Sequence, residues 1–475
     1  MCRKRLLLTL VFATVLAGCS WLAPKDAVYP GAEWSRASSS AATPKPSRLP
    51  NPDEVKALLV QLVDVEKRAP GIVIGMIAAD PQERWVVGYG RLSATDNRVP
   101  DGDTVFQIES MGKLFTGSLL AQAVLNGEVK LDDPLSMYLP EGVTAPEYEG
   151  KSITLLDLAA HTSGLQQMPD NLHPKDPSNP FVDYTMDQMY DFLSGYHLTR
   201  APGSTYEYSN YGFGLLGNLL VRQAGQADYE ALLLDRITRP LGMDSTRVRL
   251  TPELRSRLAT PHLNYSVVTS DRENITLAGA GGTRSTVNDL LTFLAANMGM
   301  TEAELQPALQ LANTPQRPTY GKDTIGLGWQ VAANYGIHWH NGGGGGYSAF
   351  LAWDPQRKVG VVVLTNARMD IDRIGLQLIR GMPLTPVSVD PQVLAAYAGR
   401  YQFPGDITVT IRIDDTRVFA QVPNQGETEL LASSVNQFYL QAANAEITFY
   451  KNASGEVDRL VYAEHGEVYE GKKVP

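Results

Sequence analysis

The sequence predicts an α+β domain over residues 51–384 followed by a small all-β domain over residues 391–475. Three observations predict it. Strand-like apolar runs stand at both ends of the first stretch with helical periodicity between them, so one sheet is built from both ends and carries a helical insert. Residues 385–390, with Pro386 inside and Pro391 just beyond, break the pattern. After them only short strand-like runs punctuated by turn residues remain.

Asn51 is placed to cap a helix over residues 53–68, with Val55, Leu58, Leu59, Leu62 and Val63 on one face and Pro70-Gly71 as its stop. Residues 72–79 and 84–92 read as two paired strands. Helical patterns follow at 114–125 (ended by Gly127), 155–160, 186–193, 213–224 and 229–237. Strands return at 326–331, 336–340, 348–354 and 360–366, and a last helix is expected at 371–380. In the second domain, runs at 407–413, 418–422, 438–440, 447–450 and 457–462 predict a small β-barrel or sandwich.

The composition is that of a globular protein, 43% apolar and 19% charged. A net charge of -10 without a basic patch argues against a nucleic-acid partner. The first 18 residues differ. Arg3, Lys4 and Arg5 precede an apolar stretch over residues 6–16 that is too short to span a bilayer. It ends in Leu16-Ala17-Gly18-Cys19, which resembles the bacterial lipobox, where cleavage before the cysteine exposes a thiol for lipidation. Residues 1–18 then form a lipoprotein signal peptide and Cys19 carries the membrane anchor. Residues 19–50, rich in Pro, Ser and Ala, form a tether. Ser20 in place of an acidic residue resembles sorting to the outer membrane, facing the periplasm. Cys2, the one other cysteine, falls in the removed segment, so the processed chain has no disulfide.

Three short motifs carry chemistry. Ser110-Met111-Gly112-Lys113 opens a helix, and residues three apart share a face, so hydroxyl and amine meet. A serine hydroxyl needs a base, and a lysine can serve when its pKa is lowered. Tyr208-Ser209-Asn210 precedes a helix; its phenol can relay a proton and its amide can hold a carbonyl. His340-Asn341-Gly342 ends a strand, and the next amide, that of Gly343, is placed to join that of Ser110 in an oxyanion hole. Each motif alone is weak, reading equally as a solvated helix face, a core tyrosine or a glycine turn.

Their order, S-x-x-K, Y-x-N and [K/H]-x-G, is similar to that of the serine β-lactamase and penicillin-binding superfamily. That group includes class C β-lactamases, D-alanyl-D-alanine carboxypeptidases, D-aminopeptidases and esterases. Leu131-Asp132-Asp133-Pro134, His161-Thr162-Ser163-Gly164-Leu165, Pro240-Leu241-Gly242-Met243 and Gly281-Gly282 also resemble its pattern, over about residues 54–379. The resemblance implies a β-lactamase/transpeptidase-like fold, an antiparallel sheet flanked by helices with a helical subdomain. The chain from Leu394 onward looks like the lipocalin-like β-domain often appended to such hydrolases. It further implies that Ser110 forms an acyl-enzyme, that Lys113 and Tyr208 move its proton, that Asn210, His340 and Gly342 bind substrate, and that no cofactor is needed. Cell-wall D-amino-acid peptides, short acyl esters and β-lactams all suit this chemistry. A non-catalytic penicillin or wall-fragment sensor and a genuine class C-like β-lactamase are the alternatives. The intact Ser110, Lys113 and Tyr208 argue against the sensor.

Departures from the pattern are informative. Many relatives carry Lys where this chain has His340, which suits esters or D-aminopeptides better than a β-lactam carboxylate. Glu109 replaces a small residue and is expected to point to solvent. The run from Gly342 to Gly346 reads as a flexible turn that closes on substrate. Residues 166–200 read as a cleft rim or a variable surface loop. His338 and His340 share a strand face, but His161, His173 and His262 lack metal-ligand spacing, so no metal site is expected. The elbow G-x-S-x-G and a phosphate loop are absent.

Overall fold

A computed structural model describes residues 49–80, 82–263, 266–268, 274–405, 407–423, 425–440 and 445–475. The signal peptide, Cys19 and nearly all of the tether lie outside the described residues. The chain divides between Thr385 and Pro386 into two compact units.

The first unit is built on an eight-stranded antiparallel sheet. Its strands are β1 (Gly71–Ala79), β2 (Gln82–Gly90), β3 (Arg317–Pro318), β4 (Thr324–Ile325), β5 (Gln330–Ala332), β6 (Ile337–Gly344), β7 (Tyr347–Asp354) and β8 (Val359–Thr365). They lie in the order β2-β1-β8-β7-β6-β5-β4-β3, so strands from both ends of the domain meet at β1 and β8. Both central strands are apolar on both faces because each face is covered. Val73 and Ile77 point into one core with Val362 and Leu364 of β8. Ile72, Ile74 and Met76 point into the other with Val361 and Val363. Burying each such side chain contributes about 1.5–3 kcal/mol.

Helices supply the covers. Helix α1 (Pro52–Val60) is capped by Asn51, whose side chain accepts from the Asp53 amide, and it continues as a π-turn over Gln61–Val65. Helix α2 (Lys113–Leu125) is buried almost all round, which fits its position in the middle of the unit. Helix α3 (Asn210–Gln223), helix α4 (Val287–Asn297) and helix α5 (Asp372–Arg380) complete the frame. The sheet is therefore sandwiched, and the helical subdomain lies against the face that carries α2.

Two strand expectations need correction. Of the run expected as one strand at 326–331, only Gln330 and Val331 lie in a strand, β5; β4 ends before it at Ile325, and residues 326–329 turn between the two with Gly328 at a left-handed φ of 86°. The strand expected to end at His340 continues through the glycines to Gly344, and only Gly345 and Gly346 turn, at φ 55° and 87°. Composition suggested a loop, but β7 pairs with this segment out to Gly344↔Tyr347.

The second unit is a closed barrel of eight strands: β9 (Gly399–Phe403), β10 (Ile407–Asp414), β11 (Arg417–Gln421), β12 (Thr428–Ala432), β13 (Gln437–Leu440), β14 (Ala445–Lys451), β15 (Val457–Glu464) and β16 (Glu467–Val474). The first and last strands pair at Arg400↔Val474 to close it. Tyr397, Tyr401, Phe438 and Phe449 interlock inside. Strands β9, β12 and β16 were not expected. The polar pattern of β16, in which Gly471 alone is buried, gives little apolar signal, and closure holds it by main-chain pairing instead. Among the described residues no helix is long and apolar enough to cross a membrane.

Candidate active site

Ser110 lies in a 3-10 turn, Glu109–Gly112, that runs directly into α2, and Lys113 is the first residue of that helix. The turn is wedged tightly. Gly281 lets the main chain of Glu109 and Ser110 pass, since a Cβ there would lie 3.1 Å from the Glu109 carbonyl carbon. Gly342 does the same from β6, where a Cβ would lie 2.2 Å from the Ile108 carbonyl oxygen. Glu109 itself has φ 50°, a left-handed conformation uncommon for a side-chain-bearing residue. Its carboxyl does not point to solvent as expected. It packs over β6, with Oε2 3.1 Å from where a Cβ on Gly344 would stand. The glycines of β6 thus give room to the nucleophile turn rather than flexibility to a lid.

Lys113 is fully buried and is the hub of the site. Its Nζ lies 3.0 Å from Ser110 Oγ, 2.7 Å from Asn210 Oδ1 and 2.6 Å from the Ala280 carbonyl oxygen. It also stands 4.8 Å from the centre of the Tyr208 ring. Burial pushes the amine well below its ordinary 10.5, against the opposing pull of Glu109. A neutral amine has two N–H groups and one lone pair. Asn210 Oδ1 and the Ala280 carbonyl can only accept, so they take both N–H groups. The lone pair is left for the Ser110 hydroxyl, which is the arrangement a general base requires.

Tyr208 is hydrogen-bonded to Ser110, and burial holds its phenol above the usual range, so it stays protonated at neutral pH. Its loop is fixed from behind by His161. The buried His161 ring accepts the Ser209 amide at 3.0 Å through Nδ1 and lies 4.3 Å from the Tyr208 ring. The His161 carbonyl accepts the Glu207 amide at 2.7 Å. Sequence reading registered the His161–Leu165 turn only as a resemblance. Its part in aiming Tyr208 and Asn210 depends on packing that no spacing displays.

His340 projects from β6 and is buried. Burial and the nearby Lys113 push its ring down to about 3, so it is neutral at physiological pH. It cannot replace a lysine as a cation. Gly342 and Gly343 lie on a stretch of β6 whose outer edge is open, because β5 pairs with β6 only as far as Gln330↔Trp339. An acyl substrate can therefore add along that edge, beside the Ser110 turn. Ser110, Lys113, Tyr208, Asn210 and His340 lie together, Gly342 packs on the turn that carries Ser110, and Gly343 follows on the same strand with its Cα facing the other way, toward Arg368. Among the described residues no three His, Cys, Asp or Glu side chains gather as a metal site.

Comparison with known proteins agrees with this geometry. The Beta-lactamase family matches residues 55–375. The chain belongs to this family. It is accordingly a serine hydrolase of the β-lactamase and penicillin-binding superfamily. A D-alanyl-D-alanine-carboxypeptidase/endopeptidase, AmpH of Escherichia coli K12, is 34% identical over 311 residues, covering 62% of this chain and 79% of that protein. A Beta-lactamase of the same organism is 26% identical over 354 residues, covering 66% and 88%. A Beta-lactamase/D-alanine Carboxypeptidase from Yersinia pestis, solved with citrate, superposes with a TM-score of 0.59 at 28% identity, covering 68% of this chain and 97% of that one. A class C beta lactamase from Rhodobacter sphaeroides shares the fold at 23% identity, with a TM-score of 0.60, covering 69% and 99%. Residues 385–472, the barrel, match a domain of unknown function (DUF3471).

Proposed function

We propose that this family member trims cell-wall peptides ending in D-amino acids, through an acyl-enzyme on Ser110. The contact of Lys113 with Ser110, Asn210 and the Ala280 carbonyl carries the reading. Lys113 takes the Ser110 proton as Oγ bonds to the scissile carbonyl carbon, and the carbonyl π pair moves onto oxygen. The main-chain amides of Ser110 and Gly343 hold that oxyanion. As the C–N bond breaks, the proton passes from Lys113 through Tyr208 to the leaving amine. Water, deprotonated by the same pair, then attacks the acyl carbon, and Ser110 recovers its proton as the Oγ–C bond breaks. Asn210 holds both the substrate carbonyl and the lysine. The likeness to the E. coli carboxypeptidase supports peptides as substrate. The likeness to β-lactamases supports β-lactam turnover as a second reading.

The signal and lipobox sequence supports export and anchoring through Cys19 to the outer membrane, facing the wall. In cells, Cys19→Ala releases the protein from the membrane fraction; its continued sedimentation with membranes overturns the anchor.

The activity test is time-resolved intact mass and product analysis of the protein with a D-alanyl-D-alanine peptide and with a penicillin. Ser110→Ala is expected to keep the fold and lose all turnover. Residual hydrolysis by purified Ser110→Ala refutes the mechanism. Drug consumption without peptide cleavage selects the β-lactamase reading. Adduct formation without turnover of either selects a sensor.

A further inference from the structure

A cavity of about 540 Å³ lies beside β1 and β2, where the π-turn after α1 meets the loop that leaves β2. Strand β2 stands four places from β6 in the sheet, about 19 Å away at ordinary strand spacing. None of Ser110, Lys113, Tyr208, Asn210, His340 and Gly342 lines the cavity. Val63, Ala69, Pro70 and Ala94 give it an apolar wall. Its size suits a small organic ligand rather than a single ion.

Three charged side chains line it, Asp64, Lys67 and Arg91. Asp64 is engaged, because it accepts from the Tyr89 hydroxyl. Lys67 and Arg91 are exposed, and among the described residues neither side chain has a hydrogen-bond or ion-pair partner. Lys67 is kept there against its backbone preference. It has φ 54°, a left-handed position that glycine takes more easily. The Arg68 amide donates to the Leu62 carbonyl at 2.9 Å, which closes the helix end around it. A lysine retained at such a position is what a ligand contact would require. His262 lines the cavity as well and is buried. Its Nδ1 lies 3.2 Å from the Asn366 carbonyl oxygen, which can only accept, so Nδ1 carries the proton and the neutral ring keeps a lone pair on Nε2. Among the described residues no group donates to that lone pair.

We propose that this cavity is a binding site separate from the hydrolytic centre. Its ligand is a small carboxylate that carries a neighbouring N–H, as in an N-acylated amino acid or the carboxyl end of a peptide. The carboxylate lies between Lys67 and Arg91, whose guanidinium offers it two parallel N–H donors. The N–H donates to His262 Nε2, and the apolar part rests on Val63, Ala69 and Pro70. Two cations against one carboxylate leave the lining a single positive charge, which matches a monoanion better than a phosphate dianion. The inference does not depend on the substrate proposed for Ser110.

The test is calorimetry on the full-length protein after treatment with a fluorophosphonate to block Ser110. Three probes are compared: N-acetylphenylalanine, its uncharged amide, and 3-phenylpropionate, which lacks the N–H. The acid is expected to bind with a Kd of about 1 mM or tighter, roughly tenfold tighter than the amide and about fivefold tighter than 3-phenylpropionate. Arg91→Gln and Lys67→Gln are each expected to weaken the acid about three- to tenfold and to leave the amide unchanged. Lys67→Gly separates ligand contact from structure. It is expected to melt at a higher temperature, because glycine suits the left-handed φ, and yet to bind the acid as poorly as Lys67→Gln. Wild-type binding by Lys67→Gly overturns the assignment. So do equal affinities for acid and amide, no binding of the acid at about 10 mM, or a preference for the acid that survives when both cations are replaced. A 3-phenylpropionate that binds as tightly as the acid overturns the part given to His262. The cation variants report on the cavity even where Ser110 proves unreactive, so failure of the hydrolase reading is told apart from failure of this one.

Discussion

Substituting Gly342 by alanine tests the claim that the β6 glycines exist to admit the nucleophile turn. The added methyl would sit 2.2 Å from the Ile108 carbonyl oxygen and 3.1 Å from Glu109 Cβ. Carbon and oxygen cannot approach closer than about 3.2 Å without strong repulsion, so strand and turn must part by about 1 Å. The backbone on both sides is paired, Gly342 with Ala349 of β7 and Ile108 with the Thr283 carbonyl, so the strain is shared rather than absorbed by a rotamer. Overpacking of this kind costs about 1–3 kcal/mol. The functional cost is larger, because Ser110 and the open edge of β6 must stay aligned, and a 1 Å misplacement removes about 100-fold from the rate. The assay is acylation of Ser110 by a fluorophosphonate, followed by intact mass, alongside the melting temperature. Gly342→Ala is expected to acylate about 100-fold more slowly and to melt a few degrees lower. Gly344→Ala is the control, since the atoms nearest its methyl are those of the Glu109 carboxyl, the far end of a flexible side chain, at 3.1–3.2 Å. It is expected to lose less than tenfold. Wild-type acylation by Gly342→Ala would refute the steric argument.

Two further outcomes follow from the buried ionisable groups. Acylation by the wild type rises with pH as Lys113 loses its proton, with a midpoint well below 10.5; Lys113→Arg, charged at all accessible pH, is expected to acylate at least about 1,000-fold more slowly in stopped-flow assays, and a rate near wild type removes Lys113 from the base role. Asp372 has its carboxyl raised by burial and by Asp370 to about 7, from 3.8, so its contribution to stability is full below about pH 4 and is lost as pH rises through 7. Asp372→Asn stays neutral and should therefore stabilise the protein by about 1–2 kcal/mol at pH 8 and negligibly at pH 4, a small figure because the side chain is partly exposed; a pH-independent difference between the two melting curves would show that the carboxyl is not protonated in the fold.

Much of this molecule was legible in its residues. The apolar runs of β1 and β8, the N-cap at Asn51, and the helix that begins at Lys113 follow from local pattern, because apolar spacing and caps are local properties of the chain. The three motifs named Ser110, Lys113, Tyr208, Asn210 and His340, since chemistry of this kind demands those side-chain types. Packing decided the rest. That Glu109 folds over β6, that the glycine run is strand, that His161 aims Tyr208, and that Arg368 stands where a side chain at Gly343 would be are contacts between segments far apart in sequence. Side-chain types already say which groups can react. Their protonation and aim come from packing, because burial and neighbouring atoms set the pKa of Lys113 and His340, and neither is a property of the residue alone.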